Sequence, residues 1–188
     1  MITFAAEGDA GCLRYLLSLY LDSNIYVNAH VEDRSASVSL VEAATDGAFT
    51  VVASDRLVGE VYELFRKLFG KGEASWMRAS ILALPALRVV DEHQWRRSIP
   101  TVKPFVRDVS DLPHFAAAWA AAVDVMVSIN RRSIEEPMFD LVPLSGPEPV
   151  AEALEGSRPW PTREEMLDVW KEWARKSARA PPRRRRGH

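Results

Sequence analysis

The sequence predicts an α/β fold, a three-layer α/β/α sandwich with a mostly parallel central sheet of about four to five strands. Short apolar, β-branched runs alternate with stretches of helical periodicity, and turn-forming residues separate them. A hydrophobic content of 47% is enough to build a core. The length of 188 residues suits one domain with an extension. We expect the domain to span 13–150 and the C-terminal extension to span 158–188.

The predicted strands are short and bounded by turn signals. For the first of them, apolar periodicity alone leaves a helix open as the alternative. The predicted strand ranges are 13–21, 49–53, 87–90, 123–128 and 139–143.

The predicted helices lie between these strands. Ser54 can cap the third of them, and Gly70 with Gly72 can end it. Pro100 and Pro104 favour an irregular segment over 93–107. The first predicted helix begins near residue 25, and the others cover about 35–45, 56–69, 73–82 and 111–122.

The C-terminal extension is predicted to contain one amphipathic helix over about 163–177. Thr162 and Glu165 form a capping-box pattern, and Met166, Val169, Trp170 and Trp173 recur at helical spacing. Its tryptophan-bearing face should dock on the domain or on a partner. The arginine run 183–186 is predicted to be disordered, either as a solvated tail or as a source of non-specific RNA affinity.

Charge is divided unevenly along the chain. Residues 158–188 carry ten basic and four acidic side chains, whereas residues 1–157 carry 14 basic and 22 acidic ones. An acidic domain repels phosphates, so it is not a passive nucleic-acid clamp. Cations held by a carboxylate cluster would reverse that sign locally.

Cysteine usage and hydropathy predict a cytoplasmic protein that does not enter a membrane. The single cysteine, Cys12, cannot form an internal disulfide. The N-terminus lacks the basic and apolar regions of a signal peptide. The longest apolar stretch, 115–123, is too short to span a bilayer.

Three acids stand where a parallel sheet places ligand-binding residues. Asp22 follows the first predicted strand, Glu60 lies near the apolar face of a helix, and Asp111 opens an alanine-rich helix. Each also has an ordinary explanation: a turn residue, a solvated helix glutamate and a helix N-cap, respectively. Asp111 can be a cap and a ligand at once, because a helix N-terminus tolerates negative charge.

Four sequence blocks combine a predicted strand or helix with polar residues at fixed places. They are 19–27, with Asp22-Ser23-Asn24 after a strand; 51–61, a strand, Ser54 and a helix bearing Glu60; 107–116, with Arg107-Asp108 and Asp111 before the alanines; and 123–130, a strand followed by Ser128 and Asn130. In this order they resemble the PIN-domain (PilT N-terminus) nuclease family, and in particular its subgroup of toxins from toxin–antitoxin pairs. The resemblance covers about residues 13–150.

The resemblance implies a metal-dependent endoribonuclease that hydrolyses phosphodiester bonds in single-stranded or looped RNA. Asp22, Glu60 and Asp111 become the catalytic and metal-binding acids for Mg²⁺ or Mn²⁺, which prefer hard oxygen ligands. Asn130 takes the fourth position, where many relatives have aspartate, so activity should be weakened. The resemblance also implies a homodimer and an inhibitory antitoxin protein.

Other residues take supporting roles in this interpretation. Asn24 orients Asp22, Ser128 supplies a hydroxyl, and Asp108 and Asp124 can replace the charge that Asn130 lacks. The residues expected to contact the RNA backbone are basic: Arg56, Lys103, Arg107, Arg131 and Arg132.

Alternatives stay open at this point. His114 is either a general base or a packing residue beneath the site. The whole domain is either the nuclease or a catalytically degenerate PIN fold that binds RNA or a protein. A phosphohydrolase or receiver-like domain with Asp22 as nucleophile has little support, since Ser23-Asn24 provides no second acid and no lysine follows in 104–157.

Overall fold

A five-stranded, all-parallel sheet forms the centre of the described residues, 17–130 and 134–179, in the computed structural model. The strands are β1 (Ser18–Leu21), β2 (Thr50–Ser54), β3 (Leu87–Val90), β4 (Val125–Val127) and β5 (Leu144–Ser145), in the spatial order β3-β2-β1-β4-β5. The predicted three-layer α/β fold is confirmed. Positions 13–16 of the first predicted strand, and the arginine run 183–186, lie outside the described residues.

Strand β1 lies in the middle of the sheet and is buried along its whole length. Tyr20 lies opposite Val52 of β2 on one side and Met126 of β4 on the other. Because side chains alternate along a strand, Tyr20 and Asp22 point towards the same face of the sheet. The carboxyl ends of β1, β2 and β4 therefore form one edge, at which Asp22, Ser54 and Ser128 follow or end their strands.

Helices flank the sheet. The chain moves from β1 to β2 to β3 and then reverses direction to β4. Since parallel crossovers are right-handed, the helices before β3 and those between β3 and β4 cover opposite faces. The helices are α1 (Ser23–Val31), α2 (Ala36–Thr45), α3 (Asp55–Leu68), α4 (Lys71–Leu82), α5 (Glu92–Val102), α6 (Leu112–Ala120), α7 (Pro147–Leu154) and α8 (Arg163–Arg179).

The predicted irregular segment 93–107 is wrong, because most of it forms α5. Asp91 and Gln94 make a reciprocal capping box at its start. Pro100 falls in the last turn, where few helical hydrogen bonds remain to be lost. Trp95 and Val102 are buried at helical spacing, and α5 packs against α6.

The predicted strand 139–143 is also wrong. Residues Glu136–Asp140 form a 3₁₀ turn that buries Met138 and Phe139. Sheet pairing begins only where the carbonyl of Pro143 accepts from Met126, so the strand is β5. A short apolar run reads equally as a strand or as a buried turn, which explains the error. The sequence also gave no prediction of α7.

Helix α8 packs beside β5, at the edge of the sheet. Its predicted capping box is confirmed: the Thr162 amide donates to the Glu165 carboxylate at 2.8 Å, and the Glu165 amide donates to the Thr162 hydroxyl at 3.2 Å. Met166 and Trp170 are buried, and the Trp170 ring lies 5.5 Å from that of Phe139. Among the described residues, no helix is both long and apolar enough to cross a bilayer.

Candidate active site

The Asp22 and Glu60 carboxylates are joined through one residue, Ser23. The Ser23 amide donates to Asp22 Oδ1 at 2.8 Å, and the Ser23 hydroxyl donates to Glu60 Oε1 at 2.6 Å. Asp22 is the N-cap of α1, so the same turn that ends β1 directs Ser23 towards α3. The structure thus brings together two acids that are 38 positions apart in the sequence.

Asp22 is also held by Asn24 of α1 and by Ser128, which follows β4. Asn24 donates from its side-chain amide to Asp22 Oδ2 at 2.5 Å, and the Ser128 hydroxyl donates to the same oxygen at 2.6 Å. The Asn24 carbonyl oxygen accepts from the Ile129 amide at 3.2 Å, which fixes the orientation of its amide. These bonds, together with that from the Ser23 amide, restrain the Asp22 carboxylate.

Glu60 contacts a buried histidine. His114 Nε2 lies 2.9 Å from Glu60 Oε2, and the His114 side chain is only 3% exposed. This hydrogen bond lowers the pKa of Glu60, against the opposing effect of burial, and the bond from Ser23 lowers it further. Glu60 is consequently ionised at neutral pH.

The opposite ring nitrogen of His114 is also engaged. Nδ1 lies 2.9 Å from the hydroxyl of Tyr20, which is itself 3.1 Å from the Ser54 hydroxyl. With both nitrogens occupied and the ring buried, His114 has no free nitrogen to act on a water molecule. The general-base interpretation of His114 does not fit this geometry.

Asp111 lies three residues before His114 in the sequence, and Asn130 lies two residues after Ser128. Asp111 precedes α6, and its carbonyl accepts from the His114 amide at 3.1 Å. The Asn130 amide donates to the Ser128 hydroxyl at 3.0 Å. Within 17–130 and 134–179, no group of three or more His, Cys, Asp or Glu side chains is arranged to hold a metal ion. The convergence of Asp22, Glu60 and Asp111 on one cation stays a prediction.

Asp124 does not lie at the site. Its carboxylate accepts from the Ser18 amide at 2.7 Å and from the Ser18 hydroxyl at 2.8 Å. Ser18 begins β1, so these contacts lie at the edge of the sheet opposite Asp22. The expected role of Asp124 as a replacement charge is therefore wrong.

Asp108 is exposed and makes a local contact. Its carboxylate accepts from the Ser110 amide at 2.9 Å and from the Ser110 hydroxyl at 2.7 Å, and both bonds lower the pKa of Asp108. These bonds order the loop before α6. They do not link Asp108 to Asp22 or Glu60.

The basic residues predicted to contact RNA are dispersed. Arg56 is exposed at the start of α3, close enough to Glu60 to lower its pKa. Arg107 is exposed and lies 3.4 Å from the Glu135 carboxylate, while Lys103 is exposed on the 3₁₀ turn after α5. Arg131 and Arg132 lie outside the described residues.

The donor chemistry of the cluster suits a hard divalent cation. Each ionised carboxylate offers about four lone-pair directions. The hydrogen bonds described above use three on Asp22 and two on Glu60, which leaves acceptor capacity on both. Carboxylate, hydroxyl and amide oxygens are the ligands that Mg²⁺ and Mn²⁺ prefer.

Sequence reasoning assigned no role in this cluster to Tyr20, Ser23 or the hydroxyl of Ser54 beyond its cap. The Ser54 cap itself is confirmed, since its oxygen accepts from the Leu57 amide at 3.0 Å. The available signal for Tyr20 was a phenol between two leucines in a buried strand, where its hydroxyl must find a partner.

A comparison with protein-family models matches residues 18–132 to the PIN domain. No curated protein matches the sequence. The crystal structure of VapBC2 from Rickettsia felis, bound to a promoter DNA fragment, is similar at 17% identity and a TM-score of 0.51, covering 69% of this chain and 98% of that chain. That of VapC20 from Mycobacterium tuberculosis, a toxin that cleaves the sarcin-ricin loop, gives 12% identity and a TM-score of 0.45, covering 57% and 86%.

Proposed function

The chain belongs to the PIN-domain family, and from that premise we propose that it is a metal-dependent endoribonuclease acting on single-stranded or looped RNA. The observation that carries the proposal is the pair of carboxylates, Asp22 and Glu60, joined by Ser23 at the carboxyl edge of the sheet. In parallel sheets this edge is where ligands bind.

Asp22 and Glu60 would hold a Mg²⁺ or Mn²⁺ ion, with Asp111 and Asn130 completing the site. When bound, such an ion neutralises phosphate charge and favours deprotonation of an attacking water. The chain itself fixes both carboxylates before substrate arrives: Asn24 and Ser128 hold Asp22, while Ser23 and His114 hold Glu60 in its ionised form. This order limits the reorganisation required on binding.

Asn130 would make this site weaker than one with a fourth acid. An amide oxygen can ligate a cation, but it brings no charge and cannot accept a proton at neutral pH. We expect the substitution Asn130→Asp to tighten Mn²⁺ binding and to raise the rate of RNA cleavage.

A cleft beside Glu60 offers room for RNA. It has a volume of about 960 Å³ and is lined, among others, by Arg56, Gly59, Trp95 and Pro113. Gly59 leaves its wall open, since an added Cβ would meet nothing within 4 Å. Arg56 supplies a cation to the cleft and is close enough to Glu60 to lower the pKa of that carboxyl.

The proposal extends to the biological setting. The chain would act in the cytoplasm as the toxin of a toxin–antitoxin pair, as a homodimer inhibited by an antitoxin protein. The motive is the family match together with the shared fold of VapBC2 from Rickettsia felis. Light scattering of the purified chain tests the dimer, and growth arrest on expression tests the toxin role.

The direct test is cleavage of a fluorescent, partly looped RNA with added Mn²⁺ or Mg²⁺, with and without EDTA. Asp22→Asn and Glu60→Gln should each abolish turnover. Glu152→Gln is the matched control, because Glu152 is exposed on α7, does not line the cleft and pairs with Arg158. Cleavage that survives EDTA and both site substitutions would overturn the proposal.

A second candidate function is an inactive PIN fold that binds RNA or a protein. It is favoured by the lack of a three-acid group among the described residues and by the neutral Asn130. It predicts no calorimetric Mn²⁺ binding but retained RNA or partner binding. Mn²⁺ binding together with turnover by the unmodified chain would rule it out.

A further inference from the structure

A buried row of side chains connects the middle of the sheet to Glu60. It runs from the Ser54 hydroxyl to the Tyr20 hydroxyl at 3.1 Å, to His114 Nδ1 at 2.9 Å, and from His114 Nε2 to Glu60 at 2.9 Å. Ser54 and Tyr20 are fully buried, and His114 is 2% exposed. These four residues come from β1, β2, α3 and α6, so the row exists only in the folded chain.

The direction of each hydrogen bond follows from its ends. The ionised Glu60 can only accept, so His114 Nε2 must carry the hydrogen. At the other end, the Leu57 amide donates to the Ser54 oxygen, which leaves the Ser54 hydroxyl hydrogen free to donate to Tyr20. Burial keeps the Tyr20 hydroxyl protonated, because it raises the pKa of Tyr20 well above its ordinary value. Tyr20 can then donate to His114 Nδ1.

We propose that Tyr20 fixes His114 as its neutral Nε2–H tautomer, and that His114 is thereby a positioning residue which holds the Glu60 carboxylate for the reaction. This inference rests on the proposed function for its consequence but not for its geometry. A doubly protonated ring would instead need Tyr20 to accept from Nδ1. The neutral tautomer satisfies every polar atom of the row without burying a cation.

His114 contacts Glu60 and does not contact the substrate. His114 does not reach solvent and has no nitrogen available for substrate, so its effect passes through Glu60. Partners that orient a metal-binding residue typically change metal affinity or activity by about 10- to 100-fold when removed. That range sets the expected effect of breaking the bond between His114 and Glu60.

The first experiment reads the tautomer in the metal-free chain by nitrogen NMR of ¹⁵N-histidine-labelled protein, with His114 assigned from its loss in His114→Gln. We expect a protonated Nε2 and an unprotonated, hydrogen-bonded Nδ1 at neutral pH. In Tyr20→Phe, the Nδ1 signal should move to the position of an unbonded nitrogen. A protonated Nδ1 in the unmodified chain would overturn the proposal.

The second experiment uses two matched substitutions. The side-chain amide of Gln reaches the position of Nε2 and can still donate to Glu60, whereas that of Asn reaches only the position of Nδ1. We expect His114→Asn to weaken Mn²⁺ binding, measured by electron paramagnetic resonance, and to lower kcat for RNA cleavage, each by about 10- to 100-fold. His114→Gln should retain both within a few-fold.

Equal losses in the two variants, at equal urea midpoints, would assign His114 to packing alone and overturn the positioning role. If either variant fails to fold, Tyr20→Phe replaces it, since it removes one hydroxyl and keeps the ring. If the unmodified chain neither binds Mn²⁺ nor cuts RNA, the proposed function fails while the tautomer measurement still decides the placement of His114.

Discussion

Replacing Asp124 by alanine tests whether this acid supports the fold rather than the chemistry. The substitution removes Asp124 Oδ2, the oxygen to which both the backbone amide of Ser18, at 2.7 Å, and the hydroxyl of Ser18, at 2.8 Å, donate. Ser18 is 8% exposed, so its amide would be left largely without water. Hydrogen bonds to charged groups contribute about 1.5–3 kcal/mol, and an unpaired buried donor costs about 1–3 kcal/mol.

These two estimates describe the same loss and are not added. Asp124 is half-buried, so we expect Asp124→Ala to lower the free energy of unfolding by about 2–3 kcal/mol. The control is Ser18→Ala, which removes the two contacts of the hydroxyl, to the Asp124 carboxylate at 2.8 Å and from the Asp124 amide at 3.2 Å, and keeps the bond from the Ser18 amide to the carboxylate. It should cost about 1 kcal/mol.

Urea unfolding followed by tryptophan fluorescence measures both values, and RNA cleavage is measured on the same samples. Below the unfolding transition, Asp124→Ala should keep the turnover of the unmodified chain, in contrast to Asp22→Asn. Loss of turnover at an unchanged unfolding midpoint would refute the argument, because it would return Asp124 to the reaction.

Three further predictions concern stability. Trp170→Ala should lower the free energy of unfolding by about 3 kcal/mol, because a buried ring packed on Phe139 is lost. Its control is Trp76→Ala, at a residue that is 57% exposed, which should change the free energy of unfolding by about 0.5 kcal/mol in urea unfolding. Equal effects of the two substitutions would contradict this packing. Because the pKa of Glu60 lies below its ordinary value of 4.5, its ionised form stabilises the fold fully above pH 4.5, and this contribution is lost as pH falls through the folded-state pKa. The difference in unfolding free energy between the unmodified chain and Glu60→Gln should therefore be constant at higher pH and shrink on acidification. A difference that grows on acidification would contradict the sign. Gly47→Ala should destabilise the fold by about 1 kcal/mol, since Gly47 has φ +72° and the added Cβ would approach Pro85 to 3.3 Å. Gly59→Ala, within α3, should stabilise the fold by about 0.5–1 kcal/mol. Thermal unfolding midpoints measure both changes, and a higher midpoint for Gly47→Ala than for Gly59→Ala would contradict the backbone argument.

The sheet was predictable where local signals agree. Strand β3 matches the predicted range 87–90, and β2 differs from its prediction by one residue at each end. Both are short, β-branched and bounded by turn or cap residues. The prediction for the α5 segment was wrong because it gave two prolines more weight than the capping box at Asp91 and the helical spacing of Trp95 and Val102.

The error at Asp124 concerns its position along the strand. The predicted strand 123–128 put Asp124 inside the strand, whereas β4 begins one residue later, at Val125. An acid that precedes a parallel strand lies at the amino edge of the sheet, and ligands bind at the carboxyl edge. Even in the predicted strand, Asp124 is the second residue and lies near the amino edge, so the strand prediction itself argued against a role for this acid at the site.

The two halves of the candidate site differ in how far sequence could predict them. Asp22 is held mainly by its neighbours in the turn, Ser23 and Asn24, so a contiguous motif records most of its environment. Glu60 is held by His114, 54 positions away, and His114 by Tyr20, 94 positions away. Contacts at that separation are set by strand order and helix packing and leave no local pattern. Sequence analysis therefore most easily misses the residues of such a site that contact a carboxylate from beneath the sheet edge.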